Sequence, residues 1–370
     1  MIMNTIKRNF GFGCMRLPMI GDQVDLEQVK KMVDRFLEKG FNYFDTAHGY
    51  IDGKSELAIR ECLSSRYPRE NYVLTNKLSS NFFEKEEDIR PLFEQQLRAC
   101  GVDYFDFYLM HAQSKRNYPH YRECRAYETA FALKREGKVR HVGISFHDSP
   151  EMLDQILTDY PEIEAVQIQF NYLDFEDPAV QSRAVYETAR RHGKPLIIME
   201  PVKGGRLVNL PEEAQKVFDD LHGGSNASYA IRFAAGFEGV MMVLSGMSDM
   251  AQMEDNTSFM EDFHPLDERE RAAVEEVQRI FRTRHFIPCT ACRYCTAGCP
   301  MGIAIPDIFA TVNAKKLHKD WNSRFYYNVV CDKAGSRASD CVRCGQCESI
   351  CPQQLPIREL LAAAAEEFEN

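Results

Sequence analysis

The chain has 370 residues, of which 44% are apolar, 27% charged and 11% aromatic, and its formal net charge is −10. This length favours one large domain with a smaller one, and this balance excludes a disordered, collagen-like or coiled-coil protein. The acidic charge argues against nucleic acid or an anionic membrane surface as a partner, because both attract a basic face.

The apolar stretches of the chain are short. The longest ones, at 240–244 and 360–365, fall well below the roughly 20 residues of a membrane helix. The first ten residues, MIMNTIKRNF, are too polar for a secretory signal. We therefore expect a cytoplasmic protein without a membrane segment.

Helices and short apolar strands alternate along the first three quarters of the chain. Residues 25–39 carry apolar side chains at three- and four-residue spacing, which predicts a one-sided helix ending at Gly40. The same spacing predicts helices at 88–100, 127–135, 150–159, 179–192 and 227–235. Apolar runs predict eight strands, at 12–15, 41–47, 72–77, 105–111, 139–145, 165–169, 195–199 and 239–244.

Eight strands, each followed by a helix, favour a closed (β/α)8 TIM barrel of the α/β class. An open doubly wound sheet would need a G-x-G-x-x-G turn after the first strand, which the residues after Gly11 and Gly13 do not supply. A further helix at 267–281 leads out of the barrel. We predict a barrel domain over 1–284 and a second domain over 285–370.

Eight of the 13 cysteines form two runs with the spacing C-x2-C-x2-C-x3-C-P. The runs are Cys289, Cys292, Cys295 and Cys299, then Cys341, Cys344, Cys347 and Cys351. This is the ligand pattern of a bacterial two-cluster ferredoxin, in which the fourth cysteine of each run binds the other cluster. We therefore assign one [4Fe–4S] cluster to Cys289, Cys292, Cys295 and Cys351, and the second to Cys341, Cys344, Cys347 and Cys299.

Two tetrahedral zinc sites are the competing interpretation, but zinc does not explain a repeated eight-cysteine pattern with its prolines. The sequence between the two runs, at 305–330, is largely helical in character, so the domain resembles an α-helical ferredoxin. The other five cysteines are expected to be packed thiols, namely Cys14, Cys62, Cys100, Cys124 and Cys331.

Four polar residues follow or close three consecutive predicted strands, and active sites of such barrels lie at the carboxyl ends of the strands. They are Asp45, Tyr50, Lys77 and His111. A lysine ammonium beside a phenol favours the phenolate and lowers the pKa of the tyrosine. Tyr50 would protonate a carbonyl oxygen that receives a hydride, and His111 would donate a hydrogen bond to it.

Each of these residues also has a structural interpretation when taken alone. Asp45 could cap a helix, Lys77 could be a surface charge, and His111 could be a histidine with satisfied hydrogen bonds at a strand end. Only the combination of the four favours catalysis.

The segments FDTAHGY, LTNK and YLMH carry these four residues, and in this order they resemble the aldo-keto reductase family. The resemblance extends over the whole barrel, through GFGCMRLP, GKVRHVGIS, QIQFNY and the closing EDN. It implies that a nicotinamide cofactor reduces a small carbonyl substrate or oxidises an alcohol, with these four residues as the catalytic tetrad.

The resemblance also implies where the nicotinamide cofactor binds. It places Ser145 and Gln167 at the carboxamide and Met199 at the ring. The segment MEPVKGGRL would hold the pyrophosphate through Lys203, Gly204 and Arg206, although an ordinary exposed turn is the competing interpretation. After the last strand, the resemblance adds Gly246, Gln252 and Asn256.

Three departures from the family pattern affect the cofactor. Met199 stands where many members have an aromatic ring, and Phe146 replaces the asparagine after Ser145. Gly246 and Gln252 stand where NADP-preferring relatives place basic residues. Without those cations a 2′-phosphate would be poorly held, so the sequence favours NADH over NADPH.

The two kinds of cofactor differ in the electrons that they carry. A nicotinamide gives two electrons as hydride, whereas each cluster normally carries one, and joining them takes a group such as a flavin. The first hypothesis is a nicotinamide-dependent reductase or dehydrogenase whose clusters transfer electrons or stabilise their domain. The second is a ferredoxin-linked reductase whose barrel binds flavin or substrate, with a redox partner protein. The third is a non-catalytic redox-sensing module.

Overall fold

The computed structural model describes residues 5–177, 179–221, 223–284, 286–318 and 323–369. By its internal contacts the chain divides into two units. The first contains residues 1–177, 181–202 and 224–267, and the second contains 178–180, 203–223 and 268–370. The segment 203–223 and the helix after residue 267 thus group with the second unit, whereas the boundary expected from the sequence lies at 284, and that boundary stays a prediction.

Most strands of the described residues build one barrel in the first unit. In chain order the strands are β1 (Phe10–Gly13), β2 (Met19–Ile20), β3 (Gln23–Val24), β4 (Tyr43–Asp45), β5 (Val73–Leu78), β6 (Phe105–Gln113), β7 (Val139–Phe146), β8 (Ala165–Gln169), β9 (Leu196–Met199) and β10 (Val240–Ser245). Eight of them close a barrel in the order β1-β10-β9-β8-β7-β6-β5-β4, with every neighbouring pair parallel. The predicted (β/α)8 fold is confirmed.

The helices connect these strands and then form the second unit. They are α1 (Leu26–Glu38), α2 (Lys54–Ile59), α3 (Glu86–Cys100), α4 (Tyr118–Glu123), α5 (Ala126–Arg135), α6 (Pro150–Asp159), α7 (Ser182–Arg191), α8 (Glu212–Asp219), α9 (Asn226–Ala235), α10 (Met250–Glu261), α11 (Glu268–Arg284), α12 (Tyr294–Ala297), α13 (Ile305–His318), α14 (Ser323–Ala334), α15 (Gln346–Ser349) and α16 (Ile357–Glu369). Within the described residues, none of these helices is long and apolar enough to cross a membrane.

Local interactions explain the ends of several elements. Helix α1 starts after Asp25, whose side chain accepts a hydrogen bond from the backbone N–H of Gln28 at 3.1 Å, and it is followed by Gly40 at φ 82°. Helix α7 begins later than predicted because Gln181 adopts a left-handed conformation, with φ 53°. Strand β1 also lies two residues before its predicted position, since residues 14–16 turn out of the barrel as a 3-10 helix. The hairpin of β2 and β3 was not predicted, because two-residue strands carry no detectable periodicity.

The strands are apolar because both of their faces are buried. Side chains such as Tyr43, Phe107, Leu109 and Ile197 form an apolar cluster of strand residues, while the larger core packs strand residues against the surrounding helices. Polar side chains replace apolar ones toward the carboxyl ends of the strands, and these ends position the candidate active site.

The second unit is built mainly from helices around its own small core. Ile305, Phe309, Tyr327 and Leu361 are among the buried side chains, and six of the eight cysteines of the two runs belong to this core or pack against it. Helices α13 and α14 occupy the sequence between the runs, which confirms the predicted helical character, although residues 319–322 lie outside the described part of the chain.

Candidate functional site

Lys77 is the centre of a buried polar network in the barrel. Its Nζ donates hydrogen bonds to Asp45 Oδ1 at 2.5 Å, to the carbonyl oxygen of Thr46 at 2.9 Å and to Tyr50 Oη at 3.1 Å. Asp45 ends β4, Tyr50 follows in the next turn, and Lys77 lies near the end of β5. The structure therefore brings three of the four predicted catalytic residues into one network.

The Lys77 ammonium and the Asp45 carboxylate compensate each other's charge inside the barrel. Burial lowers the pKa of Lys77, and the adjacent Asp45 carboxylate acts in the opposite direction. The other carboxylate oxygen, Asp45 Oδ2, accepts a hydrogen bond from Gln167 Nε2 at 3.1 Å. Asp45 is thus held at both oxygens, and Lys77 is held in position against Tyr50.

The fourth predicted catalytic residue, His111, lies beside Tyr50. The two ring centroids are 5.9 Å apart with an interplanar angle of 75°, and His111 Nδ1 is 2.6 Å from Ser79 Oγ. Although the residue is partly exposed as a whole, desolvation of its ring lowers the pKa of His111 well below its usual range, and Lys77 adds to this effect. The imidazole is therefore neutral at neutral pH.

Two residues near the tetrad were missed in the sequence. Ser79 lies just after β5, and His147 follows β7, so position at a strand end was the available signal. Burial lowers the pKa of His147 to about 4, and Lys77 again acts in the same direction. His147 Nδ1 is buried and has no hydrogen-bond partner among the described residues, which fits a site completed by a bound molecule.

Six of the residues predicted to contact the cofactor lie at or just after carboxyl ends of strands, or on the helix that follows. Ser145 and Gln167 are register partners in β7 and β8, and Met199 ends β9. Asn256, on α10, donates from Nδ2 to Ser245 Oγ at 3.0 Å. These residues share one end of the barrel with the tetrad.

The two other residues of this set are Gly246, just after β10, and Gln252, in the first turn of α10, and a basic side chain that was not predicted lies near them. The Gln252 side chain donates from Nε2 to Asp249 Oδ2 at 3.0 Å. A Cβ atom on Gly246 would lie 3.3 Å from the side chain of Arg16. This region therefore combines the carboxylate of Asp249 with a nearby arginine.

The remaining three predicted cofactor residues, Lys203, Gly204 and Arg206, group with the second unit. There Lys203 Nζ donates to Gln353 Oε1 at 2.9 Å. Their contacts within the second unit join residues that are far apart in the sequence, and the motif does not reveal such contacts. A role in pyrophosphate binding stays a prediction for these residues.

The eight cysteines of the two runs line two separate cavities in the second unit. One, the first cavity, is lined by Cys289, Cys292, Cys295 and Cys351. The other, the second cavity, is lined by Cys299, Cys341, Cys344 and Cys347. The fourth cysteine of each run thus lies with the first three of the other run, which is the grouping expected from the spacing.

The two cysteine loops share a backbone conformation. Ala291 and Arg343 have φ of 54° and 56°, and Arg293 and Gly345, which precede α12 and α15, have φ of 65° and 80°. These left-handed residues curl each loop around its cavity. Burial raises the pKa of the Cys295 thiol to about 12, and the neighbouring cysteines contribute in the same direction.

A metal would change the protonation of these thiols, because cysteine binds iron as thiolate. Within the described residues, no group of three or more His, Cys, Asp or Glu side chains has the geometry of a site for a single ion. Four cysteines around one cavity match the ligand set of a four-iron cubane, in which each iron takes one thiolate.

Two family models match the chain, one over the barrel and one over the two cysteine runs. Residues 9–279 match the model of the aldo/keto reductase family, and residues 288–355 match the model of the 4Fe-4S dicluster domain. The NADH-specific methylglyoxal reductase of Escherichia coli is 27% identical over 197 residues, which are 47% of this chain and 57% of that protein. The match therefore spans little more than half the length of that relative.

Solved structures show the same barrel. The holo form of an aldo-keto reductase from Bacillus halodurans matches with a TM-score of 0.61 at 24% identity, over 73% of this chain and 91% of that one. An aldo-keto reductase from Klebsiella pneumoniae, solved in complex with NADPH, matches with a TM-score of 0.60 at 19% identity, over 75% and 96%. With the family model covering most of its length, the chain belongs to the aldo/keto reductase family, and it carries a 4Fe-4S dicluster domain after the barrel.

Proposed function

We propose that the protein is a nicotinamide-dependent carbonyl reductase or alcohol dehydrogenase that carries two [4Fe–4S] clusters. The observation that carries this proposal is the buried Lys77 ammonium, hydrogen-bonded to both Asp45 and Tyr50. A structural ion pair alone would not need the partly exposed phenol, whereas proton transfer to a substrate does. The E. coli relative, named as an NADH-specific methylglyoxal reductase, supports a carbonyl substrate. That relative and the NADPH complex of the Klebsiella pneumoniae structure support a nicotinamide cofactor.

Tyr50 holds the proton that the reaction needs. Its Oη would donate this proton to the carbonyl oxygen, and Lys77 at 3.1 Å would stabilise the negative charge left on the phenolate. Asp45 keeps the ammonium in place, which orients it before the reaction begins. A bound nicotinamide supplies the hydride, so the barrel accounts for both the proton and the electron pair.

Neutral His111 would polarise the same carbonyl oxygen. If the Ser79 hydroxyl donates to Nδ1, the ring carries its proton on Nε2 and can donate to the substrate. We assign the nicotinamide to Ser145, Gln167, Met199, Gly246, Gln252 and Asn256, as the family resemblance implies. The expected NADH preference rests on Asp249 near Gln252, which would repel a 2′-phosphate, whereas the Arg16 side chain near Gly246 would attract one.

The eight cysteines would hold the clusters in the two cavities described above. Bound clusters supply single electrons, and their thiolate bonds would also stabilise this small domain. Hydride transfer from the nicotinamide, together with the proton from Tyr50, needs no electrons from the clusters. We therefore assign the catalytic step to the barrel. The cluster domain would have a separate role, either in electron transfer or in structure.

The proposal is tested with anaerobically purified protein. We expect iron and sulfide for two clusters, tighter binding of NADH than of NADPH, and oxidation of NADH that depends on an added aldehyde or ketone such as methylglyoxal. Release of a flavin chromophore without nicotinamide binding would contradict the proposal and favour a ferredoxin-linked reductase. Nicotinamide binding without turnover of any aldehyde, ketone or quinone would favour a redox-sensing module.

Replacement of Ser79 with alanine should lower kcat about tenfold, or about 1.4 kcal/mol of transition-state stabilisation, with a much smaller change in KM. The reason is that His111 loses the hydroxyl that selects its tautomer. Initial-rate kinetics measure the effect, and Ser79→Thr, which keeps a hydroxyl, should restore most of it.

The depressed pKa of His111 has its own kinetic consequence. Because the ring is already neutral, a plot of kcat/KM against pH should show no inflection from His111 in the pH range where an ordinary histidine titrates. The pH profile of the wild-type protein checks this. An inflection in that range that disappears in His111→Asn would show that the histidine is charged in the free enzyme.

A further inference from the structure

The second cavity opens to the solvent. Of the 13 cysteines, all of which the structure describes, only Cys344 is exposed. Met301 and Val342, which line the same cavity, are 40% and 59% exposed. Pro300 and Arg343 also line it and are exposed. These five exposed lining residues are called the rim of the second cavity below.

The first cavity has a more enclosed lining. Its residues Thr290, Phe309 and Gln353 are all buried, and none of its four cysteines, which are all described, is exposed. Arg293 is an exposed lining residue, but it forms an ion pair with Asp307 at 2.7 Å. A cluster in the second cavity would therefore have a thiolate ligand at the protein surface, whereas a cluster in the first cavity would not.

Exposure decides which cluster exchanges electrons with another molecule. The rate of electron transfer falls steeply with the distance between two redox centres, so a ligand at the surface gives the shortest route. Cys344 offers this route to the second cavity. Because each cluster takes up one electron at a time, the molecule that meets it there is a one-electron carrier.

The apolar part of the rim favours a protein as this carrier. A single exposed apolar side chain is ordinary, but Pro300, Met301 and Val342 line one cavity together, and apolar surface grouped around a site marks protein contacts. Methionine and arginine, both present in the rim, are enriched in protein interfaces. Redox encounters use small interfaces, which suits a contact of this extent.

Charge indicates the kind of carrier. Arg343 is exposed, and none of the ion pairs among the described residues includes it, whereas Arg358 at the same cavity is paired with Glu348 at 2.6 Å. Residues 285–370 contain nine Lys or Arg and nine Asp or Glu, so the net charge of −10 lies on residues 1–284. Because charges act over about 10 Å in salt, an acidic carrier is attracted at the rim and repelled by the barrel sequence.

We propose that the rim of the second cavity is the docking site of an acidic one-electron carrier protein. The reduced carrier gives one electron to the cluster in the second cavity, so the carrier is oxidised and the cluster is reduced, with no bond made or broken. This inference rests on the proposed presence of the clusters. It assigns the cluster domain a role in electron transfer rather than in structure alone.

The test measures binding of an acidic plant-type [2Fe–2S] ferredoxin to the anaerobically purified full-length protein by isothermal titration calorimetry. The wild type should bind it, with an affinity that falls as salt is added. Arg343→Glu should weaken binding about tenfold, because it reverses a charge at the contact. Arg343→Lys keeps the charge and should keep most of the affinity.

Further variants separate the rim from the rest of the surface. Val342→Ser should weaken ferredoxin binding several-fold without a change of charge, and it decides the matter if Arg343→Glu loses its iron. Two matched controls should bind as the wild type does. Phe325→Ser removes an apolar side chain of α14 that is 64% exposed and lines neither cavity, and Arg98→Glu reverses an exposed charge on α3. In stopped-flow absorbance, reduction of the protein by limiting reduced ferredoxin should slow in the rim variants, whereas reduction by dithionite should not.

Different results separate the possible failures. Absence of iron and of any cluster absorbance from the wild type would overturn the proposed function itself. Intact clusters without ferredoxin binding, or with binding that neither Arg343→Glu nor Val342→Ser weakens, would overturn this inference. The same holds if basic cytochrome c, used as a second probe, loses affinity in Val342→Ser while ferredoxin does not, because the rim would then fit a basic carrier.

Discussion

Replacement of Tyr50 with phenylalanine is expected to lower kcat for carbonyl reduction by about 10²–10⁴-fold, the usual contribution of a positioned proton donor. The phenol is the group that Lys77 contacts at 3.1 Å, and phenylalanine offers no proton to the carbonyl oxygen. The ring itself is kept, so its packing against His111 and Lys77 should change little. Steady-state oxidation of NADH with a saturating aldehyde measures the loss.

The controls separate chemistry from folding. Absorbance of the clusters and binding of NADH should be unchanged in Tyr50→Phe, because neither depends on the phenolic proton. Tyr67→Phe is a matched control, since it removes a phenol that bonds to Asp34 at a site outside the tetrad, and it should turn over at the wild-type rate. Turnover of Tyr50→Phe at the wild-type rate would exclude the phenol as the proton donor.

The barrel, and the proximity of the four residues proposed to be catalytic, were predictable because topology and motif agree. Asp45, Lys77 and His111 lie at the ends of adjacent strands, and a closed parallel barrel brings such ends together wherever the chain folds this way. The limits of β1, in contrast, did not follow from the sequence. The run around Phe12 is apolar throughout, and nothing in it marks the end of β1. The strand was therefore predicted two residues later than its position in the structure.

The parts that escaped prediction depend on contacts between distant segments. Ser79 contacts His111 across 32 residues, and a single serine carries no motif. The segment from Lys203 to Arg206 looks like a phosphate-binding loop because glycines and cations are what such a loop needs. The sequence could not show that Lys203 bonds to a residue 150 positions away.

The grouping of cysteines was predictable for a different reason. Repeated spacing defines two equivalent loops, and each loop can place only three thiols around one cavity before the chain leaves it. The structure shows the same grouping, with Cys351 beside the first run. Pairs of cysteine substitutions can therefore show which cysteines share a cluster, whereas single substitutions cannot.

The double variant Cys292→Ala with Cys351→Ala is expected to retain one intact cluster, with about half of the wild-type iron and visible absorbance. The double variant Cys344→Ala with Cys351→Ala should damage both clusters, because its two cysteines line different cavities. If each run instead held its own cluster, these outcomes would be exchanged. Cys331→Ala, a buried cysteine outside both runs, should keep the full iron content. Iron analysis and electron paramagnetic resonance of the reduced proteins distinguish the two arrangements, since only a crossed arrangement lets two lesions in different runs affect one cluster.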